Sequence, residues 1–404
     1  MISRQRAWSP YRVILAATLL NMVSYVDRIC ISVAGPSIRR EFNLTPIQLG
    51  VIFSSFSLSY ALMQLPWGAA ADRWSPRRIV GFAILAWSGF TALTGAAVSY
   101  RIIVLIRFAF GGLEAALAPA ITSAFARWIP DNARATAFGV FLGGGRLGGA
   151  FAPAAAAFLL LRYGWRSTFI VFAAAGVMAS LIWFRVVPPQ LPTNPNSRRF
   201  TQTGVHLWSF QMVALLLVAF GYTVMWQFYA TWFPTYLIER RGFTLSEAGR
   251  YASLPFLFGI GSSWAGGVIC DALGRKTSPA LGRGIVGCFS MLLAALLYYL
   301  GIISSDKAAP WLFATAAGVG DLLLAAVWTA AADLGGKSAG TFSGLMNCAS
   351  NFGAFVSPIA IGAAIQRSKD WDSVLMIGLG TTLASAILWV GVNWPRKLDA
   401  SLAT

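Results

Sequence analysis

Apolar runs of about 20 residues recur from Tyr11 to Trp394, and no other feature limits the fold of this chain so tightly. A run of that length crosses the hydrocarbon layer of a membrane as a helix. Inside that layer every backbone N–H and C=O must find a partner within the protein, which leaves helices or closed barrels, and continuous runs of this length read as helices. Composition agrees. Of 404 residues, 57% are hydrophobic and 11% charged, whereas soluble domains carry about 25% charge. The expected fold class is an all-α membrane protein with twelve transmembrane helices, starting near residues 12, 47, 79, 101, 134, 166, 207, 246, 278, 310, 338 and 372.

A net charge of +17 could suit nucleic acid, but its placement argues for a membrane. With the N-terminus inside, Lys and Arg concentrate in the cytoplasmic connections, the bias that orients multi-pass proteins. Both termini are therefore expected in the cytoplasm, in the cell (inner) membrane. The lipid bilayer is the expected partner of the basic charge, and no nucleic acid is expected. The first run spans and lacks a small-residue cleavage site, so no cleavable signal peptide is expected. Cys30, Cys270, Cys288 and Cys348 are scattered without metal-ligand spacing and read as small buried thiols. His206, the sole histidine, carries no assigned role. With no nucleophile–base pair, metal cluster or phosphate loop, neither an enzyme nor a cofactor or metal is expected.

Ionisable residues inside the spans point to function, because each costs about 2.5–3.5 kcal/mol to insert and normally faces a cavity. They are Asp27, Arg28, Arg107, Glu114, Arg146 and Asp321. In the first span, Asn21, Tyr25, Arg28 and Ser32 share one helical face and Asp27 lies to its side. Arg28 is expected to bind a substrate carboxylate through its planar fork, beside a proton-switching Asp27; a self-neutralising structural pair is the plainer alternative. Arg107 and Glu114 stand two turns apart, about 10.5 Å along one face of the fourth span. Glu114 and Asp27 are the expected proton carriers, with Arg107 exchanging between carboxylates; a purely structural Arg107 and Glu114 is the alternative. Tyr60 and Gln64 share a face of the second span, and Trp226, Tyr229, Trp328, Asn347 and Asn351 could add neutral contacts from the second half. Trp226 could equally belong to an interfacial belt. Asp321 reads as a third proton site or as a partner of Arg146, which itself faces the cavity, snorkels or pairs.

The chain also repeats itself. Gly68 to Arg78 places a glycine, three residues, Asp72-Arg73 and a basic pair, and Gly267 to Lys276 repeats this around Asp271 and Arg275, 199 positions later. Phe42-Asn43-Leu44-Thr45 resembles Phe243-Thr244-Leu245-Ser246 at 201, and Gly149–Pro153 resembles Gly353–Pro358 at 204. Thr45, Pro46 and Gln48 form a capping box. Two six-helix halves of similar design follow, residues 1–188 and 207–404, with a proline-rich cytoplasmic linker over 189–206. Internal repeats are the mark of secondary transporters with a site where the repeats meet.

These loops resemble the signature loop of the major facilitator superfamily, with Ser75 where a glycine is usual. The resemblance implies that Asp72, Arg73, Asp271 and Arg275 take part in gating at the cytoplasmic side; capping or solvated charge is the plainer reading of the two aspartates. Tyr25-Val26-Asp27-Arg28, Arg107 with Glu114, Tyr163-Gly164-Trp165-Arg166, Trp232–Leu237, Ala332–Thr341 and Asn347–Asn351 are similar to the anion:cation symporter family, over nearly the whole chain. Its members carry organic anions such as sugar acids, aromatic acids, sialic acid and glutamate, coupled to protons or sodium. The resemblance implies a protonation pair at Asp27 and Glu114. It implies substrate contacts best at Tyr25, Arg28, Tyr60, Trp328 and Asn347, with Gln64, Arg146 and Asn351 as further candidates. Arg146 replaces the neutral polar residue usual in sugar-acid carriers, and as a cavity cation it would favour a dicarboxylate or an aromatic acid. The expected function is proton-coupled symport of a small organic anion by a monomer, with a proton favoured over sodium because no cluster of oxygen ligands stands out. A drug or organic-cation exporter on the same fold, or a non-transporting membrane sensor, are the alternatives.

Overall fold

The computed structural model describes residues 10–128, 131–187, 209–335, 339–368 and 370–392. The linker 189–206, with His206, lies outside them, and so do the side chains of Asp72 and Asp271. The described residues form helices and connections without strands. In order these are α1 (Pro10–Glu41), α2 (Pro46–Arg73), α3 (Pro76–Gly95), α4 (Tyr100–Glu114), α5 (Leu117–Trp128) and α6 (Asp131–Val186). The second half contains α7 (Phe210–Gln227), a π-turn over Phe228–Trp232, α8 (Phe233–Glu239), α9 (Leu245–Lys276), α10 (Pro279–Ile303), α11 (Ala309–Asp321), α12 (Leu323–Gly335), α13 (Ala339–Ser368) and α14 (Asp372–Val392).

Among the described residues, eleven stretches are long and apolar enough to cross a membrane, and one of them, Gly139–Val186, is 48 residues long. At 1.5 Å per residue that is about twice the hydrocarbon thickness. It breaks at Gly164, whose φ of 77° only glycine adopts easily, so it supplies two crossings and the total is twelve. The break is fastened to the end of α1. Glu41 accepts hydrogen bonds from Trp165 Nε1 and from the Arg166 guanidinium, both at 2.7 Å.

Backbone details restate the sequence repeat. Asn43 and Gly242, with φ of 50° and 69°, turn the chain in front of α2 and α9. Thr45 then caps α2 with Gln48, and Thr244 caps α9 with Glu247, each through a reciprocal pair of hydrogen bonds. The cap places the repeat at 199 positions, matching Asp72 and Asp271, rather than at the 201 read from the letters alone: Thr244 is the counterpart of Thr45, and Ser246 is not. In each half, a tryptophan of the last helix donates to the backbone carbonyl of an arginine opening the third. Trp183 Nε1 reaches Arg77 O at 2.9 Å, and Trp389 Nε1 reaches Arg283 O at 3.1 Å. Beneath each tryptophan contact lies a glycine, Gly81 or Gly287, where a Cβ would strike a ring of Phe184 or Trp389.

By contact the chain separates into two compact units. Unit 1 takes the described part of Met1–Phe200 with Ala230–Ser253 and Pro358–Gln366. In it α1 lies along α6 at close range, because Gly144, Gly145 and Gly148 admit Thr18, the Tyr25 ring with Asn21, and the Met22 backbone. Gly111 lets α4 approach the Phe56 carbonyl of α2, and Trp67 Nε1 donates to Gly112 O at 2.7 Å. Trp87, Phe110, Phe125 and Trp183 fill the core. The second-half segments join through equally close contacts, Gly50 under the Pro358 backbone and Gly362 under that of Pro46, with Arg39 paired to Glu239 at 2.8 Å. Unit 2 holds the described parts of Thr201–Tyr229, Leu254–Ser357 and Arg367–Thr404. There α10 lies against α11 and α14, around an aromatic cluster of Phe228, Tyr229, Tyr298 and Phe313. Of the four cysteines, Cys30 and Cys270 are buried as expected; Cys288 is half-buried and Cys348 exposed, because α13 turns that face outward.

Two glycine substitutions separate the two uses of glycine. Gly164→Ala has free space around it and should cost about 1–3 kcal/mol through its backbone alone, a positive φ with an extended ψ of 166° that is open essentially only to glycine. Gly148→Val should cost about 1–3 kcal/mol by forcing α1 from α6. Thermal unfolding in detergent should show a lower Tm for both, with impaired ligand binding only for the second.

Candidate functional site

The charged residues of α1 and α4 converge within unit 1, beside aromatic residues of α2. Asp27, Arg107 and Glu114 are each at most 2% exposed. Arg28 forms an ion pair with Glu114, its side chain 27% exposed against 1% for the glutamate. Ser24, one turn before Arg28 on the same face of α1, donates to the same Glu114 oxygen at 2.7 Å. Glu114 sits where α4 ends and the chain restarts as α5, so its carboxyl reaches α1 from the break in the helix. Around the guanidinium stand three aromatic rings, Tyr25, Phe56 and Tyr60, at 5.0, 4.8 and 5.1 Å. Such faces attract a cation without neutralising it. One edge of a partly exposed guanidinium is thus held by protein, while Arg28 Nε and Glu114 Oε2 make no hydrogen bond.

Arg107 behaves differently from expectation. It makes no ion pair among the described residues; its guanidinium lies over Phe110 at 4.4 Å and Phe56 at 5.4 Å, with Nε unbonded. Phe56 therefore stands between two arginines, and Arg28, not Arg107, takes Glu114. The physical reason is reach. Arg107 and Glu114 share a helix face two turns apart, whereas Arg28 crosses directly from α1 to the helix end. Asp27 is oriented away from Arg28, toward α3, with Trp87 and Thr91 among its polar neighbours and Arg107 and Glu114 nearby. Neither of its oxygens closes a hydrogen bond of ordinary geometry, nor does Trp87 Nε1, so the adjacent Asp27 and Arg28 do not form the self-neutralising pair.

The remaining candidates fall in several places. Asn21 and Ser32, expected on the site face, bond elsewhere: Asn21 Nδ2 donates to Phe141 O of α6 at 2.7 Å and Ser32 Oγ to Ile29 O of its own helix at 2.8 Å. Tyr25 and Tyr60 are at the site; Gln64 follows one turn later on α2, half-buried. Arg146 is half-buried on α6, next to the Gly145 that packs on Tyr25. Arg73 and Arg275 are exposed at the ends of α2 and α9. Asp321, Trp328, Asn347 and Asn351 belong to unit 2. Asp321 is fully buried and accepts a hydrogen bond from Tyr222. Trp328 is 48% exposed on α12, and Asn351 Nδ2 donates to Asn347 O at 2.9 Å. Trp226, half-buried, packs edge-on against Phe256 and beside Tyr229 within unit 2. Sequence reasoning missed Ser24, Phe56, Trp87 and Tyr222. Ser24 was legible from its four-residue spacing to Arg28; the others carry no signal apart from hydrophobicity.

Comparison with known proteins bears on the family and the fold. A family model described as Major Facilitator Superfamily matches residues 17–358. The probable sulfoacetate transporter SauU of Cupriavidus necator is 31% identical over 96% of this chain and 93% of its own. The probable galactarate/D-glucarate transporter GudP of Escherichia coli is 27% identical over 98% and 96%. The hexuronate transporter of Bacillus subtilis is 25% identical over 93% and 92%. Among solved structures, a bacterial homolog of the human lysosomal transporter Spinster, inward-facing and occupied, superposes with a TM-score of 0.81 at 20% identity, over 96% of this chain and 99% of that one.

The Arg28–Glu114 contact is testable by itself. A double-mutant cycle over Arg28→Gln and Glu114→Gln, read by thermal unfolding, should give a coupling of about 1–3 kcal/mol. Glu114→Gln alone should be the more destabilising change where it leaves the guanidinium uncompensated.

Proposed function

The chain belongs to the Major Facilitator Superfamily, and we propose that it is a proton-coupled symporter of a small organic anion, working by alternating access. It is a multi-pass membrane protein homologous to acid-sugar and organic-anion transporters. The observation that carries the finer reading is the partly exposed Arg28, held on one side by buried Glu114 and ringed by aromatic faces.

In this reading Glu114 and the substrate compete for one guanidinium. Ionised Glu114 holds Arg28. A proton on Glu114 removes that hold and frees the guanidinium for a carboxylate or sulfonate, to which it offers charge-assisted, bidentate hydrogen bonds. Anion and proton then arrive together, so the loaded site stays near the charge of the empty one and can be enclosed. Asp27, with both oxygens unbonded beside Arg107, is the second carrier of the pair. Tyr25, Tyr60 and Gln64 contact the substrate from unit 1. Trp328, Asn347 and Asn351 contribute from the other half as residues 1–188 and 207–404 rock about the linker. Asp72, Arg73, Asp271 and Arg275 gate that motion at the cytoplasmic ends of α2 and α9. Arg146, beside the Tyr25 packing site, supplies a second cation suited to a dianion, consistent with relatives named for sulfoacetate and for galactarate and D-glucarate. The protein works as a monomer in the inner membrane, with both termini in the cytoplasm.

Proteoliposome uptake of radiolabelled sugar acids, dicarboxylates, aromatic acids and sulfoacetate, with and without an inward proton gradient, tests this. One anion should accumulate only with the gradient. Arg28→Ala should lower uptake at least about thirtyfold, matching the ~2 kcal/mol or more of a lost buried charge contact. Glu114→Gln should retain anion exchange at equal pH and lose accumulation. Absence of gradient-driven uptake for every anion, or accumulation by Glu114→Gln equal to wild type, would refute the reading. A second prediction concerns Arg146→Gln, which should weaken dianions at least about tenfold more than monoanions, measured as the ratio of their KM values.

A further inference from the structure

The three arginines around the turn between α2 and α3 are not used alike. Arg77 is taken up by the fold, its guanidinium donating to the carbonyls of Phe184 and Val187 where α6 ends. Arg73, closing α2, and Arg78, in the first turn of α3, are exposed and make no hydrogen bond or ion pair among the described residues. Both line a cavity of about 710 Å³ in unit 1. It exists because α2 and α3, joined by a turn of two residues, each pack on α4 more than on one another. Ile79 and Ala83, both buried, lie at its base with Leu113 of α4, while Trp74 and Phe82, 63% and 62% exposed, stand at its rim.

Polarity is confined to one end of this groove. Arg73 and Arg78 meet there with Ser75, which precedes α3 without a side-chain capping bond, so its hydroxyl is free to donate. Beyond them the lining is apolar. Even Trp67 has its one polar atom engaged, Nε1 donating to Gly112 O. From Arg78 to Ala86, the last lining residue of α3, the groove follows the helix for eight positions. That is about 12 Å, against about 15 Å for half of the hydrocarbon layer. Two cations and a hydroxyl over an apolar channel one leaflet deep fit an anionic headgroup with an acyl chain beneath it. A small soluble anion would leave the channel unfilled, and a headgroup without net charge would leave the guanidiniums uncompensated.

We propose that the groove between α2 and α3 binds an anionic phospholipid from the leaflet on the side of their turn. Its phosphate meets Arg73, Ser75 and Arg78, and one acyl chain lies along Phe82, Ala83 and Ala86 toward Leu113. The lipid thereby becomes part of the structure around the turn, filling the space that α2 and α3 leave between them. Nothing in this site depends on proton coupling or on the transported anion, so it stands or falls apart from the symport reading.

Native mass spectrometry of the full chain in detergent, titrated with phosphatidylglycerol, phosphatidylcholine or inorganic phosphate, tests the site. The first copy of phosphatidylglycerol should bind at least about tenfold more tightly than phosphatidylcholine. Arg78→Gln should weaken it about fivefold, and Arg78→Lys should retain it. Ala86→Trp, which fills the deep end from an exposed position, should weaken it at least about tenfold while the lipid-free Tm stays that of wild type. Equal binding of the two lipids, or phosphatidylglycerol binding unchanged in either Arg78→Gln or Ala86→Trp, would overturn the proposal. Displacement of the lipid by inorganic phosphate, with Ala86→Trp binding as wild type does, would reveal an anion site without an acyl channel and overturn it too. Dimers that form without lipid and disappear in Ala86→Trp would give the groove to a second copy of the chain instead.

Discussion

Charge placed at membrane depth has to be compensated by neighbours within a few ångströms, and unit 1 is arranged around that requirement. Arg28 meets Glu114 across two helices, Ser24 completes the glutamate, and Phe56 lies between Arg28 and a fully buried Arg107. Close helix approach is what makes this geometry reachable. Gly111 removes the side chain that would hold α4 away from Phe56, and Gly145 lets α6 lie on Tyr25. The glycines do not bind anything; they set the distance at which the charged groups act.

Incomplete compensation is equally informative. Asp27 keeps two unbonded oxygens, and Arg28 Nε, Arg107 Nε and Glu114 Oε2 are also unbonded. A site built for stability alone would close these bonds, because unpaired buried polar atoms cost free energy. Groups left open beside a partly exposed guanidinium suit a protein whose ion pairs must be exchanged during work.

Repetition gives the second organising constraint. The caps at Thr45 and Thr244, the turns at Asn43 and Gly242, and the Trp183 and Trp389 contacts recur at corresponding points of the two halves. On this scaffold the carboxylate ending the fourth crossing accepts a serine hydroxyl in one half and a tyrosine hydroxyl in the other. Compact units by contact do not follow the sequence halves, since residues 230–253 and 358–366 pack with unit 1.

The sequence by itself determined the membrane class, the number of crossings, the internal repeat and the identity of the costly residues, because hydrophobic length and the expense of buried charge act locally along the chain. Thr45 with Gln48 was legible for the same reason, being a contact of near neighbours. Which charge meets which was decided only by tertiary structure. Arg107 and Glu114 share a helix face, yet Glu114 pairs with Arg28, 86 positions away, and Asp27 faces Trp87 instead of its neighbour Arg28. Partners of that kind depend on how closely whole helices approach, and glycine contacts between distant segments set that distance where no local pattern can report it.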